Sequence, residues 1–260
     1  MTDTYLDRIV AAHRAAAAHD DRPLEPLVAA AATRPPTRGF TAALAPADGL
    51  AVIAEIKRRS PSKGDLDVGL DAAALAATYE AGGASCLSVL TDTEFFGGSP
   101  DDLAAARAAT TRPLLRKDFT VSERDVCDAR LMGADAVLLI AAALSPDELA
   151  RFHALAGAVG LDALVEIHDE AELTVAVDVG ATLIGVNQRD LVTFAVDHER
   201  AVRMAAAIPA GVVKIAESGV RGAGDARALH DAGYDAVLVG ETLVTSPDPC
   251  RTIRELKGEL

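Results

Sequence analysis

From about residue 51 onward the chain repeats one unit, a short run of Val, Leu and Ile followed by an alanine-rich stretch of helical character. The apolar runs fall at 52–57, 84–90, 113–117, 135–140, 162–167, 182–187, 212–217 and 235–240. Each is almost continuously hydrophobic, which is how a strand buried on both faces reads. Helical stretches are expected at 71–81, 100–109, 122–132, 146–159, 169–179, 198–207, 224–232 and 249–260. Ser99-Pro100 and Ser145-Pro146 put a capping hydroxyl and a first-turn proline at two of the starts, and Ser122 with Asp125 forms a weak capping box at a third. Glycines at 82, 83, 133, 160, 180 and 233 stand where helices should stop. Eight alternating units predict an α/β fold, a (β/α)8 TIM barrel spanning 51–260. A doubly wound sheet competes, but no Gly-x-Gly-x-x-Gly follows the first strand.

The first 50 residues stand outside the repeat. Residues 3–19 read as an amphipathic helix with Leu6, Ile9 and Val10 on one side and Tyr5 beside them, and 26–32 as a shorter helix. This extension is expected to fold over one mouth of the barrel. Aromatic residues are only 3% of the chain and Trp is absent, so the core must be mostly Ala, Val and Leu.

A formal net charge of −14 argues against binding nucleic acid or a membrane surface, both of which need a basic face. It also means that any phosphate site must be locally basic. The cysteines at 86, 127 and 250 are scattered and odd in number, which fits a reducing compartment. The first twenty residues carry charges throughout and do not read as a signal peptide. The longest apolar run, 134–144, is broken by Asp135 and too short to cross a bilayer. A cytoplasmic protein is expected.

In such a barrel the active site lies at the C-terminal ends of the strands. Read there, the chain offers Lys57, Lys117, Glu166, Asn187 and Glu217, with Glu55 one layer deeper because residues two apart in a strand share a face. Each has a bland reading alone: Lys57 as a solvated strand end, Arg116-Lys117-Asp118 as a surface triplet, Glu166 in a structural ion pair, Glu217 as a partner that merely orients a lysine. Their equivalent positions in different repeats make one shared cavity the better reading. Ser218-Gly219 and Gly240-Glu241 follow the seventh and eighth strands, where backbone N–H groups commonly hold phosphate. Phe96 and Phe119 could wall an aromatic ring. His168 is read as rim or structural. No His/Cys/Asp group has metal-ligand spacing, and no metal is expected.

The segments Glu55-Ile-Lys57-Arg-Arg-Ser60-Pro61-Ser62, Leu90-Thr-Asp92 with Phe96-Gly-Gly-Ser99, Leu115-Arg-Lys117-Asp-Phe119, Leu164-Val-Glu166-Ile-His168, Gly185-Val-Asn187-Gln-Arg189 and Ala216-Glu217-Ser-Gly219 resemble, in order, the indole-3-glycerol-phosphate synthase family of tryptophan biosynthesis. The resemblance covers nearly the whole chain. It implies ring closure, decarboxylation and dehydration of 1-(2-carboxyphenylamino)-1-deoxyribulose 5-phosphate, without cofactor or metal. It implies Lys117 as general acid and Glu166 as general base, with Lys57 binding the substrate carboxylate or phosphate and a candidate to share the acid role. Glu55, Asn187 and Glu217 would orient these groups, with Arg189 close by. Ser218, Gly219, Gly240 and the Glu241 backbone would hold phosphate together with Lys57. Ser60, Pro61, Phe96, Phe119, Leu138, Ile140, Leu191 and Leu238 would line the substrate pocket. The implied partner is a small phosphorylated substrate, the implied state a monomer, with room for weak association with other tryptophan-pathway enzymes. Gln188 and Glu241 depart from residues common in the family.

The chemistry suits the residue types. Closing the ring needs a cationic acid for the ketone oxygen, and a buried lysine shifts its proton affinity more readily than an arginine. That affinity should be set jointly by burial and by the surrounding acids. Three rival readings remain: an isomerase-like phosphosugar barrel, which would need a Cys/Asp pair at strand ends; a Schiff-base aldolase using Lys117; and an inactive scaffold barrel.

Overall fold

Among the described residues, eight parallel strands close into a barrel in the order of the sequence: β1 (Ala51–Ile56), β2 (Cys86–Leu90), β3 (Leu114–Lys117), β4 (Ala136–Ile140), β5 (Asp162–Ile167), β6 (Leu183–Asn187), β7 (Val213–Glu217) and β8 (Ala236–Val239), with β8 pairing back onto β1. The structure is a computed structural model that describes residues 4–45, 49–60, 63–189 and 195–260. Two of the expected pocket residues, Pro61 and Leu191, lie outside them.

The barrel arises from strand alternation. One set of side chains, including Ile53, Leu115, Leu138, Leu164, Leu183, Ile215 and Leu238, points inward and packs into a closed interior. The alternate set, including Val52, Leu87, Leu139, Val165, Ile184 and Val237, points outward beneath the helices. Those helices are α4 (Ala72–Ala81), α5 (Pro100–Ala109), α6 (Glu123–Met132), α7 (Pro146–Ala158), α8 (Glu170–Asp178), α9 (His198–Ala207), α10 (Ala223–Asp231), the single turn α11 (Glu241–Val244) and α12 (Pro249–Lys257). Full capping boxes open α6 and α7, with Ser122 and Ser145 each accepting from the N–H three residues on. Arg59–Ser60 and Gly64–Asp65 form a small antiparallel pair beyond β1.

The extension differs from expectation in one respect. It covers both ends of the barrel. Helix α1 (Tyr5–Ala18) lies across the C-terminal mouth, tied down by His13 to Asp92 and by Arg14 to Glu148 and the Ala143 carbonyl. Helix α2 (Leu24–Ala32) packs on α6. The five-residue α3 (Phe40–Leu44), which the sequence left unmarked, plugs the N-terminal mouth. Its Phe40 and Leu44 are fully buried in the barrel interior with Ala51, Cys86 and Ala136. Two strand-start carboxylates fix the plug: Asp135 accepts from the Arg38 N–H and Asp162 from the Thr41 N–H. Asp135 also takes the Leu114 N–H and an ion pair from Arg107, so its buried charge is compensated.

Replacing Phe40 by Ala would leave a void that the tightly packed interior cannot refill. We expect Phe40→Ala to lower unfolding stability by roughly 3–5 kcal/mol, read as a shifted midpoint in urea.

Candidate active site

The strand ends open into a cavity of about 520 Å³ at the C-terminal mouth. At its centre Lys117, the last residue of β3, reaches across the barrel. Its Nζ donates to Glu166 Oε2 on β5 at 2.8 Å and to Glu217 Oε2 on β7 at 2.7 Å. Asn187 Nδ2 on β6 donates to Glu166 Oε1 at 3.1 Å, holding that carboxylate from its other side. Beside them Lys57, one residue past β1, pairs with Glu55 at 2.5 Å. These are the two-apart neighbours that alternation places on one face.

Alternation also divides the Arg116-Lys117-Asp118 triplet. Lys117 enters the barrel. Arg116 turns away and is buried against Asp118 Oδ2 (2.8 Å), the Asp125 carbonyl and Thr91. The surface-triplet reading is thereby corrected: Arg116 and Asp118 form a buried support for the strand end that carries Lys117.

Two glycines make room for the charges. Gly185 sits beside Glu166 in the sheet register, and a methyl there would collide with the Glu217 carboxylate leaning over it. Gly240 stands under Glu55 and Lys57 in the same way. From the sequence alone Gly240 belongs only to the phosphate loops and Gly185 has no role. Both needs depend on which strand lies next door.

The electrostatics are lopsided. Burial pushes the Lys117 ammonium toward losing its proton, but Glu166, Glu217 and Glu55 outweigh it, and its pKa is raised. The sequence anticipated a compromise; the acids dominate because three of them converge on one ammonium. Burial raises Glu217, and Glu166 adds to the rise against the pull of Lys117. Glu166 is buried too, yet Lys117, His168 and Asn187 hold its carboxyl below the usual range. Glu217 Oε1 is buried with no hydrogen-bond partner among the described residues. The cluster therefore has an asymmetric pair of carboxylates around one cation, Glu166 anionic and Glu217 poised to take a proton.

At one end of the cavity lie Ser218, Gly219, Gly240 and Glu241. Ser218 holds a left-handed backbone, φ 67°, a conformation that costs of order 1–3 kcal/mol outside glycine. Gln188 secures that turn: its Nε2 donates to the Ser218 carbonyl at 3.0 Å, and its Oε1 pairs with His198. Thr242 donates to the Val220 carbonyl, tying the loops after β7 and β8 together. Lys63 reaches the same end, 3.5 Å from Glu241. At the other end stand Phe96 and Phe119, with ring centroids 6.1 Å apart, and the α1 residues Tyr5, Leu6 and Ile9. Ser60, Leu138, Ile140, Arg189 and Leu238 complete the expected set and line the same cavity.

Tyr5, Leu6, Ile9, Lys63 and His198 were not singled out as lining residues. The apolar stripe of α1 was the available signal for the first three. His168 stays off the cavity wall; it hydrogen-bonds Glu172 and lies 3.7 Å from Glu166. Among the described residues, His13, Asp92 and Asp118 come close enough to share a cation, although no spacing announced it. Their polar atoms are already engaged. Asp92 binds His13 and the N–H groups of Phe95 and Phe96, and Asp118 binds Thr91, Arg116 and its neighbour's N–H.

Comparison with known proteins places the chain in a family. Residues 6–256 match the family described as indole-3-glycerol phosphate synthase. The chain is 55% identical over 228 residues to indole-3-glycerol phosphate synthase 2 of Streptomyces coelicolor, covering 88% of each chain. It is 50% identical over 238 residues to the indole-3-glycerol phosphate synthase of Leifsonia xyli, covering 92% of this chain and 91% of that one. Among solved structures, thiamine phosphate pyrophosphorylase from Pyrococcus furiosus superposes with a TM-score of 0.61 over 80% of this chain and 94% of that one; at 16% identity it speaks for the fold alone. Because the match runs unbroken from α1 through α12, the chain belongs to the indole-3-glycerol phosphate synthase family, decarboxylating lyases of tryptophan biosynthesis.

Proposed function

We propose that this cavity converts 1-(2-carboxyphenylamino)-1-deoxyribulose 5-phosphate to indole-3-glycerol phosphate, with Lys117 as general acid and Glu166 as general base. The observation that carries the proposal is the Lys117 ammonium held at 2.8 and 2.7 Å between two buried carboxylates on separate strands. The substrate phosphate lies against the backbone N–H groups of Gly219, Gly240 and Glu241 and the Ser218 turn. Its aromatic ring lies between Phe96, Phe119 and the aliphatic wall of Leu138, Ile140 and Leu238. The reacting ketone is then brought to the lysine.

The ring carbon attacks the ketone carbon, and Lys117 gives its proton to the ketone oxygen as the new bond forms. The carboxylate leaves as carbon dioxide, and its bonding electrons flow back into the ring system. The hydroxyl then departs as water with a second proton, given by Lys57, while Glu166 takes a proton from the ring system. Solvent restores the one proton consumed per turnover as the carboxylate is lost as neutral carbon dioxide. Because Glu166 touches Lys117, the proton it collects can return to the acid. Lys57, paired with Glu55, steadies the substrate carboxylate and is placed to share the acid role.

Three anionic carboxylates would hold the Lys117 proton too tightly for this task. Glu217 supplies the adjustment. With a proton on Glu217, one of the charges holding the ammonium disappears and Lys117 becomes the stronger acid. The same charges weigh against the aldolase reading, since a Schiff base needs a neutral amine. The isomerase reading lacks its cysteine: Cys86 opens β2 at the far end and Cys127 lies in α6. We read residues 1–50 and 51–260 as one catalytic unit acting as a monomer in the cytoplasm. In support, α1 itself lines the cavity, and no helix among the described residues is long and apolar enough to cross a membrane.

Indole absorbance and fluorescence appearing on addition of the substrate would test the reaction directly, and no product would refute it. Lys117→Ala and Lys117→Arg should each lose roughly 10²–10⁴-fold in kcat while still binding substrate; undiminished turnover in either would remove Lys117 from the acid role. Glu217→Gln should lose less than Lys117→Ala. Glu217 is pushed up to about 7. The rate should therefore fall as pH rises through neutrality, where Glu217 ionises, and kcat/KM profiles of Glu217→Gln should lack that step.

A further inference from the structure

One polar group at the mouth takes no part in the proton chemistry. His13 of α1 places Nε2 2.9 Å from Asp92 Oδ2, just past the end of β2. The other oxygen of Asp92 accepts the N–H groups of Phe95 and Phe96, at 2.6 and 3.0 Å. The His13 ring packs on Phe119 with centroids 5.4 Å apart, and Phe119 in turn faces Phe96. Phe96 and Phe119 line the cavity, and so do Tyr5, Leu6 and Ile9 from the helix that bears His13. One imidazole thus touches the acid that fixes Phe96, the ring of Phe119, and the helix over the mouth.

We propose that His13 is a positioning residue that keeps the ring-binding end of the cavity in shape by locking α1 onto Asp92 and Phe119. The inference rests on the reading that this end receives the aromatic part of the substrate. His13 touches none of the groups assigned to proton transfer, so its loss should weaken binding and leave the chemical step intact.

The charges around the lock fix its pH response. Burial disfavours the imidazolium, but Asp92, Asp118 and Asp125 outweigh it and raise the pKa of His13. Asp118 is itself paired with Arg116. The charge-assisted part of the lock is therefore complete below about 6.5, the ordinary value for histidine. It fades as pH rises through the higher pKa of the docked state. A neutral ring still donates from Nε2, so the lock loosens without opening.

The test combines kinetics with hydrogen exchange. His13→Ala should raise KM roughly tenfold with kcat within about twofold. Amide exchange should quicken in α1 and around Phe95, Phe96 and Phe119, with the β4 amides unchanged. His13→Gln keeps a side-chain N–H donor and should recover most of the KM, but its KM should lose the alkaline rise that the wild type shows. The proposal falls if His13→Ala keeps wild-type KM and exchange while the wild type forms product. It falls equally if kcat alone drops, or if exchange quickens uniformly through the barrel strands. Absence of product with the wild type would instead defeat the substrate reading, and the exchange pattern alone would then decide the role of His13.

Discussion

A lysine shared between two buried glutamates is the constraint around which the upper half of this barrel is built. Lys117 is largely withdrawn from solvent, so most of its charge must be met by protein, and Glu166 and Glu217 meet it from the far side of the barrel. Each carboxylate carries its own cost of burial and needs further partners. Asn187 steadies Glu166, and Gly185 is bare so that Glu217 can lie where it does. Gly240 makes the same allowance for Glu55 and Lys57. The layer of ordinary aliphatic packing just below, with Leu138, Leu164 and Ile215, gives these charges a floor free of solvent. Removing any one member would take a partner from another buried group, which is why the cluster has to be understood as a unit.

The second constraint is that a barrel has two ends, and both must be closed. The N-terminal end is closed by Phe40 and Leu44, a purely apolar plug fixed at its margin by Asp135 and Asp162. The C-terminal end needs an opening for substrate and is therefore closed only in part, by a helix that contributes Tyr5, Leu6 and Ile9 to the wall. One continuous extension does both jobs. It crosses the outside of the barrel by packing α2 on α6, with Arg22 paired to Asp128 at the crossing.

Most of the barrel was legible in the sequence, and the reason is physical. A strand covered on both faces has no choice but to be apolar throughout, so the runs around Val137 and Val165 announce themselves. The strand-end charges were legible by parity, since Glu55 with Lys57 obeys a rule confined to one strand. What stayed hidden depends on neighbours remote in the chain. The need for a bare Gly185 comes from Glu217 on the adjoining strand. The partnership of His13 with Asp92 joins residues that no local pattern connects. Helix α3 is too short for helical periodicity to mark it, and it holds its place through Phe40 in the barrel, not through its own propensity. The proton affinity of Lys117 was hidden because the number of acids converging on it is a matter of three-dimensional convergence.

The plug at the closed end carries a consequence for how the chain reaches this state. The interior layer that receives Phe40 takes Ala51 from β1 and Cys86 from β2 and also Ala236 from the last strand, which pairs with Ala51. It does not exist until that strand has been synthesised and has joined the first. Helix α3 thus leaves the ribosome long before the last wall of its socket, and its full burial has to wait for the ring to close.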